Sequence, residues 1–405
     1  MRRDTVRTTS GDGVLRQRYR SFVTWLDFPS VRPRRMVVWQ DWLAAAVLFV
    51  ATALVRLAFL LWMRGDASLE ALLSKWDGRI YLAIAQYGYF SEAGGVPDPE
   101  IYQTRLAFFP GYPGLIAAVH TVTRLNYLTS ALLISYVAGV AMTAGVMAMA
   151  AGVMAMAARM GADKRLRLAA AMLVLGAPMS TTFTMVYTEA IFLACAVWAL
   201  VAMVDKRWLL AGVCTFCAGF FRLTAIDLVA AFAVVVAIYA ARNWRAWGAV
   251  AVSTVPLVSY LMYASHYTRD IGGYFGMQTK GWHSTFDFGR ATAIWVSTQL
   301  REGNNVGYLL SIVSIVGALG AVILSFRRLP LAYWLFGAAI TANVVLSDGI
   351  MHSRPRLLLP AVVLLLPVIF QLPRGRYALP AAAMCWLLVG AWFSAYMIAV
   401  FQWAI

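Results

Sequence analysis

The sequence predicts an all-α polytopic membrane protein with about eleven transmembrane helices, in a range of roughly ten to thirteen. Three observations lead there. The chain of 405 residues is 61% hydrophobic and only 13% charged, against about 25% charged in a soluble domain. Its apolar residues fall in long runs such as Leu43–Met63, Tyr127–Met160 and Gly303–Phe326, and about 20 apolar residues suffice to cross a hydrocarbon core as a helix. Its basic residues fall in short clusters between those runs, which is how membrane orientation is written into a sequence.

Residues 1–41 carry nine arginines and precede the first apolar run. They read as a basic cytoplasmic tail, and residues 42–405 as one transmembrane domain. The remaining basic clusters are Arg159–Arg167, Lys206–Arg207, Arg242–Arg245, Arg327–Arg328 and Arg374–Arg376. All fall on the cytoplasmic side if the spans run over 42–63, 128–158, 167–184, 188–204, 208–224, 226–241, 246–266, 303–325, 329–347, 357–371 and 378–401. The amino terminus is then inside and the carboxyl terminus outside. Phe108–Val122 is apolar but contains Pro110 and Pro113. Counting it as a span would reverse every later orientation, so it reads as interfacial or re-entrant on the outer face. The tandem AGVMAMA at 144–150 and 151–157 lengthens one helix by about two turns.

The net charge of +16 does not mark a nucleic-acid surface, because the basic residues form no continuous stripe. Cys214 and Cys217 form a CxxC inside an apolar run, which reads as helix packing and not as a metal or redox site. The expected localisation is the cell membrane, with membrane lipids as surroundings.

With this topology the outer connections are about 64–127, 185–187, 267–302 and 348–356, and long loops of this kind usually carry function. The first holds Trp76, Asp77, Arg79 and Tyr81, with Trp76, Ile80, Ala83, Ile84 and Tyr87 at helical spacing. That pattern predicts an amphipathic helix near the membrane surface. Asp77 at its start reads either as a helix cap or as a functional carboxylate. Phe108-Phe109-Pro110-Gly111-Tyr112-Pro113 fixes a bend, with walling a lipid-entry groove as the other reading. Glu189, Arg222, Asp227 and Arg56 are ionisable residues at membrane depth, which demands a partner or a cavity. A structural Glu189–Arg222 pair is one solution; snorkelling is another for Arg56. His352, Arg354 and Arg356 make the last outer loop basic, against the positive-inside bias, and guanidinium groups suit phosphate.

The blocks WDGRIYLAIAQYGY, FFPGYP, YTEAIF, FRLTAI, MQTKGW and SRPRLLLPA occur in this order over residues 75–363. In that order they resemble the PIG-V-like mannosyltransferases, integral membrane glycosyltransferases of the GT-C type. Gly78, Arg79 and Gly111 depart from the residues common in those relatives. The resemblance implies a GT-C-like fold and a polyprenyl-phosphate sugar donor, with mannose as the sugar. It also implies transfer on the extracytoplasmic face and an essential acidic residue matched by Asp77.

The expected chemistry follows. Asp77 acts as general base on an acceptor hydroxyl, and Arg354, Arg356, His352 and Arg222 stabilise the departing phosphate. Trp76, Arg79, Tyr81, Glu189, Gln278 and Trp282 complete substrate binding, and the anomeric carbon inverts. No Asp-x-Asp motif occurs, which fits a donor that is not a nucleotide sugar; no metal or cofactor is expected. The acceptor is a glycolipid, a glycan or a protein hydroxyl. The competing classes are a lipid or sugar transporter or flippase, with polar residues near mid-membrane, and a noncatalytic scaffold.

Overall fold

The computed structural model describes residues 38–91, 101–156, 164–372 and 377–403. The expected tail up to residue 37 and the basic residues Arg159, Arg374 and Arg376 lie outside these. Beta structure among the described residues is a single antiparallel bridge, Phe286 with Ser347.

Five helices are long and apolar enough to cross a membrane: Trp39–Met63, Tyr127–Ala151, Trp244–Tyr267, Val306–Ser325 and Ala378–Val400. A sixth is possible by the same criterion if the pair Met351–Leu357 and Leu359–Ile369, bent by 58°, is one span. The first of these has 25 residues, or roughly 38 Å at 1.5 Å per residue, enough for a hydrocarbon core of about 30 Å. Leu43, Val47 and Leu54 on it, Val137 on the second, and Ile323 and Leu324 on the fourth stand exposed. Apolar side chains turned outward on such helices suit a lipid surround.

Four further apolar helices are shorter: Glu189–Val204, Trp208–Ala218, Ala225–Tyr239 and Leu331–Val345. Each of the eleven segments read as spans carries helix, but length and composition single out only the five or six named. Glu189–Val204 is apolar nearly all round and buries eleven of its sixteen residues, as befits a helix at the centre of a bundle. It packs against Tyr127–Met156 and Trp208–Ala218.

Prolines and glycines break two of the expected spans. Over 167–184 the helix Lys164–Leu175 stops before Gly176-Ala177-Pro178, and a 3-10 turn Ser180–Thr184 follows. Over 357–371, Pro360 and Pro367 interrupt the α-helical ladder and the chain runs as 3-10 turns between short α-helices. Each proline lacks the amide that the ladder needs. The segment 108–122 contains a thirteen-residue helix, Gly111–Thr123, roughly 20 Å long and so short of a full crossing.

Asp77–Tyr87 is the helix expected in the first outer connection. Its Tyr81, Ala83 and Ile84 are buried, because that face packs on Gly111–Thr123 and Tyr127–Met156. Protein therefore covers Ala83 and Ile84 of the face expected to meet headgroups, while Tyr87 stays exposed.

The connections separate by kind. Met203, Lys206, Tyr239 and Pro330 come together around one small recess, where Lys206 lies 5.9 Å from the Tyr239 ring. Residues from three of the four expected outer connections, 64–127, 267–302 and 348–356, meet instead around the cavity described next, with Thr188 just past the fourth.

Candidate functional site

The cavity has a volume of about 300 Å³, at the small end for ligand sites. Asp77, Tyr81, Arg222, Gln278, Trp282, Arg354 and Arg356 line it. Glu189 lies behind this lining, 2% exposed. Seven of the eleven residues singled out from the sequence therefore share one wall or another, across 279 positions of chain between Asp77 and Arg356.

A chain of charges organises one side. Arg356 Nη1 donates to Asp77 Oδ2. Arg356 Nε lies 3.8 Å from Glu189 Oε1, and Arg222 Nη1 donates to the same oxygen at 2.5 Å. Two carboxylates and two guanidinium groups thus alternate. Asp77 Oδ1 has no hydrogen-bond partner among the described residues. The Arg356 guanidinium also sits over the Tyr187 ring at 5.0 Å, a cation–π contact. Tyr187 Oη in turn donates to the Lys75 carbonyl at 3.0 Å. Burial raises the Tyr81 and Tyr187 phenols above their ordinary range, and the Asp77 charge adds to both. Both remain protonated.

Asp77 is not the helix cap. Trp76 holds the N-cap position, without a side-chain cap hydrogen bond, and Asp77 is the first helical residue. The reason is local. Trp76 has φ +53°, a region that costs a bulky residue energy, and this turns the Asp77 side chain to Arg356. Trp76 itself packs beside Leu60, Tyr187 and Met185, with Lys75 Nζ 4.2 Å from its ring. It does not line the cavity. Arg79 is exposed and also lies off it.

Gly78 explains how closely Asp77 approaches. A Cβ at Gly78 would stand 3.2 Å from the Val186 carbonyl oxygen and 3.3 Å from its Cβ. The bare glycine lets this helix lie against the turn that carries Tyr187, Thr188 and Glu189. Gly111 does the same for Arg222: a Cβ there would fall 2.7 Å from the Phe220 carbonyl, to which the Gly111 amide donates at 2.9 Å. A larger residue at 111 would push away the turn leading to Arg222.

Phe108 and Phe109 line the cavity, whereas Pro110, Tyr89 and Tyr260 line an apolar recess of about 540 Å³ beside it. The bent block is thus a partition. Tyr89 and Tyr260 donate to the Phe108 carbonyl at 2.9 and 2.6 Å, and Tyr274 donates to that of Ala107 at 3.2 Å. Three phenols hold this non-helical backbone where its carbonyls need partners.

Arg354 differs from the other two cavity guanidinium groups. It donates to Thr292 Oγ1 and, at 2.5 Å, to the Ser347 carbonyl. No carboxylate lies within ion-pairing distance of it among the described residues. His352 departs from expectation. The 3-10 turn Met351–Ser353 leaves its ring against Phe401 at 5.4 Å and Tyr308 at 5.9 Å, away from the cavity lining. Gln278 and Trp282 line the opposite side; Gln278 Nε2 donates to Tyr274 Oη at 3.2 Å, and Trp282 meets Phe108 edge-on at 6.1 Å.

The sequence reading missed the neutral members of the lining, Thr224, Asn343 and Ser347. Asn343 is a lone amide in the apolar helix Leu331–Val345, and that isolation was the available signal. Arg56 does not snorkel. It is wholly buried on Trp39–Met63 and donates to the Leu175 carbonyl at 2.8 Å, away from the cavity. Cys214 and Cys217 are free and share the helix Trp208–Ala218.

No family model and no curated protein matches this chain, so the resemblance to PIG-V-like enzymes rests on the short blocks quoted above. Among solved structures the chain is similar to ArnT from Cupriavidus metallidurans, crystallised with undecaprenyl phosphate. The two are 15% identical, with a TM-score of 0.49, over 88% of this chain and 76% of that one.

Proposed function

We propose that this chain is a multi-pass membrane glycosyltransferase of the GT-C type, moving a sugar from a polyprenyl phosphate to an acceptor hydroxyl. The observation that carries the reading is the contact of Asp77 with Arg356 inside a cavity that also holds Arg222 and Arg354. A carboxylate and three guanidinium groups are costly at membrane depth and suit chemistry on an anionic, lipid-borne substrate. Mannose is the sugar that the sequence resemblance implies. The positive-inside bias puts the basic turns in the cytoplasm and hence the cavity on the extracytoplasmic face.

The chemistry runs as a single displacement. The donor phosphate binds Arg354, which no carboxylate pairs with among the described residues, and competes for Arg356. Once Arg356 turns to phosphate, the Asp77 carboxylate is released from its ion pair and is free to accept a proton. The acceptor oxygen attacks the anomeric carbon while its proton passes to Asp77. The bond from that carbon to the phosphate oxygen breaks, and its electron pair stays on the phosphate, stabilised by the guanidinium groups. Attack opposite the leaving group inverts the anomeric centre. The apolar recess beyond Phe108 and Phe109 offers the isoprenoid chain an adjoining surface.

The test is transfer by purified protein in lipid nanodiscs, offered a panel of polyprenyl-phosphate monosaccharides. Asp77→Asn is expected to lower turnover about a hundredfold or more, with the melting temperature preserved. Full activity in that variant would remove Asp77 from its role. An absence of transfer by the native protein from every donor, with the lipid shown to be bound, would remove the transferase reading.

A further inference from the structure

The proposed chemistry uses the charged side of the cavity and leaves its neutral corner without a task. That corner is built from two helices. Asn343, on Leu331–Val345, lines the cavity, and its Nδ2 donates to Asp227 Oδ2 at 3.2 Å. Asp227 lies in the first turn of Ala225–Tyr239 and is 7% exposed. Asn343 is its hydrogen-bonding side-chain partner, and no cation pairs with it among the described residues. Thr224, one turn away, also lines the cavity, and its Oγ1 is shut off from water without a hydrogen-bond partner among the described residues. Ser347 donates to the Asn343 carbonyl at 2.6 Å, and the Ser347 carbonyl accepts from Arg354.

Each feature is expensive if its purpose is only structural. A buried carboxylate without a cation loses its hydration for one amide hydrogen bond. A buried hydroxyl without a partner gives up its hydration for nothing. The chemistry of the corner also selects its occupant. Asp227, held by Asn343 just behind the lining, disfavours an anion in this corner, so a phosphate belongs at the guanidinium groups instead. An amide fixed on one side by a carboxylate keeps a second N–H donor and its oxygen acceptor for a neutral, hydroxyl-rich group.

We infer that Asn343, oriented by Asp227, is the subsite for the hydroxyl groups of the sugar carried on the lipid phosphate. This rests on the glycosyltransferase reading and adds to it a division of the cavity. Arg354 links the halves: it faces the phosphate while its hydrogen bond to the Ser347 carbonyl ties it to the residue that holds Asn343. In this division Asn343 touches substrate, and Asp227 is a positioning residue.

Direct binding tests the division. Wild type, Asn343→Ala and the milder Asp227→Asn are placed in nanodiscs, and each is titrated with polyprenyl phosphate and with the same lipid phosphate bearing its sugar. Wild type should bind the sugar-bearing lipid more tightly. Asn343→Ala should lose about tenfold for that ligand and leave the affinity for the bare lipid phosphate unchanged. Asp227→Asn keeps a hydrogen-bonding group at 227 and should lose less, with the same selectivity. Equal weakening for both ligands, or no weakening for either, overturns the subsite and leaves the parent reading standing. A wild type that binds neither ligand overturns both.

Discussion

Glu189 accepts a hydrogen bond from Arg222 at 2.5 Å, and with only 2% of its surface exposed it ties the start of one apolar helix to the turn before another. The same oxygen faces Arg356, so removal of this carboxylate leaves two guanidinium groups facing each other in a nearly dry setting. Glu189→Ala is expected to lose about 3–5 kcal/mol, the usual consequence of breaking one partner from a buried pair. It should be read as a drop in the melting temperature of the protein in nanodiscs. The paired change Glu189→Leu with Arg222→Met should restore much of that stability, because buried pairs exchange well for apolar neighbours. Activity should not return with stability, since the restored protein lacks the Arg222 charge at the cavity. Recovery of transfer along with the fold would make Arg222 purely structural.

Arg356 uses two different nitrogens, Nη1 toward Asp77 and Nε toward Glu189. A lysine carries a single ammonium group and cannot reproduce that fork. Arg356→Lys keeps the charge, so the protein should fold and insert. Turnover should fall by about tenfold or more, because the geometry at the phosphate and the hold on Asp77 are both lost. Single-turnover transfer measures this apart from product release. An Arg356→Lys variant with native turnover would mean that charge alone, without the fork, suffices.

The charged residues were legible in the sequence for a physical reason. Asp77, Glu189, Arg222, Arg354 and Arg356 interrupt or adjoin apolar runs, where an ionised group must be paired or must face a cavity. Neutral polar residues send no such signal: Thr224 and Ser347 sit among apolar neighbours as packing hydroxyls do elsewhere, so their places on the lining emerge only from the fold. His352 lies off the lining, and sequence proximity to Arg354 and Arg356 says nothing of that direction. A 3-10 turn separates its ring from theirs. The apolar runs likewise marked where helices lie, but not which are broken by Pro360 and Pro367 or which are too short to cross alone.

Gly78 gives a prediction about position alone. A methyl group at 78 meets the Val186 backbone carbonyl at 3.2 Å, and that carbonyl belongs to the turn ahead of Glu189. Backbone yields less readily than the end of a side chain, so Gly78→Ala should shift the Asp77 helix by a few tenths of an ångström. Alanine is otherwise the better helix former by about 1 kcal/mol, so the melting temperature should change little while turnover falls several-fold. Native turnover in Gly78→Ala would show that the site tolerates such a shift.

Arg354 and His352 lie two residues apart and make opposite predictions. Arg354 lines the cavity and is held by Thr292 and the Ser347 carbonyl, while no carboxylate pairs with it among the described residues. It has no ion pair to break when a phosphate enters. Loss of a charge-assisted contact is worth about 1.5–3 kcal/mol, or roughly tenfold to a hundredfold in affinity. Arg354→Gln should therefore raise the donor KM by that range and leave the acceptor KM near its native value. His352→Ala removes a ring packed on Tyr308 and Phe401, so it should lower stability and leave both KM values alone. If His352→Ala raises the donor KM as much as Arg354→Gln does, the ring reaches the phosphate after all, and the separation made by the turn Met351–Ser353 does not persist in the working enzyme.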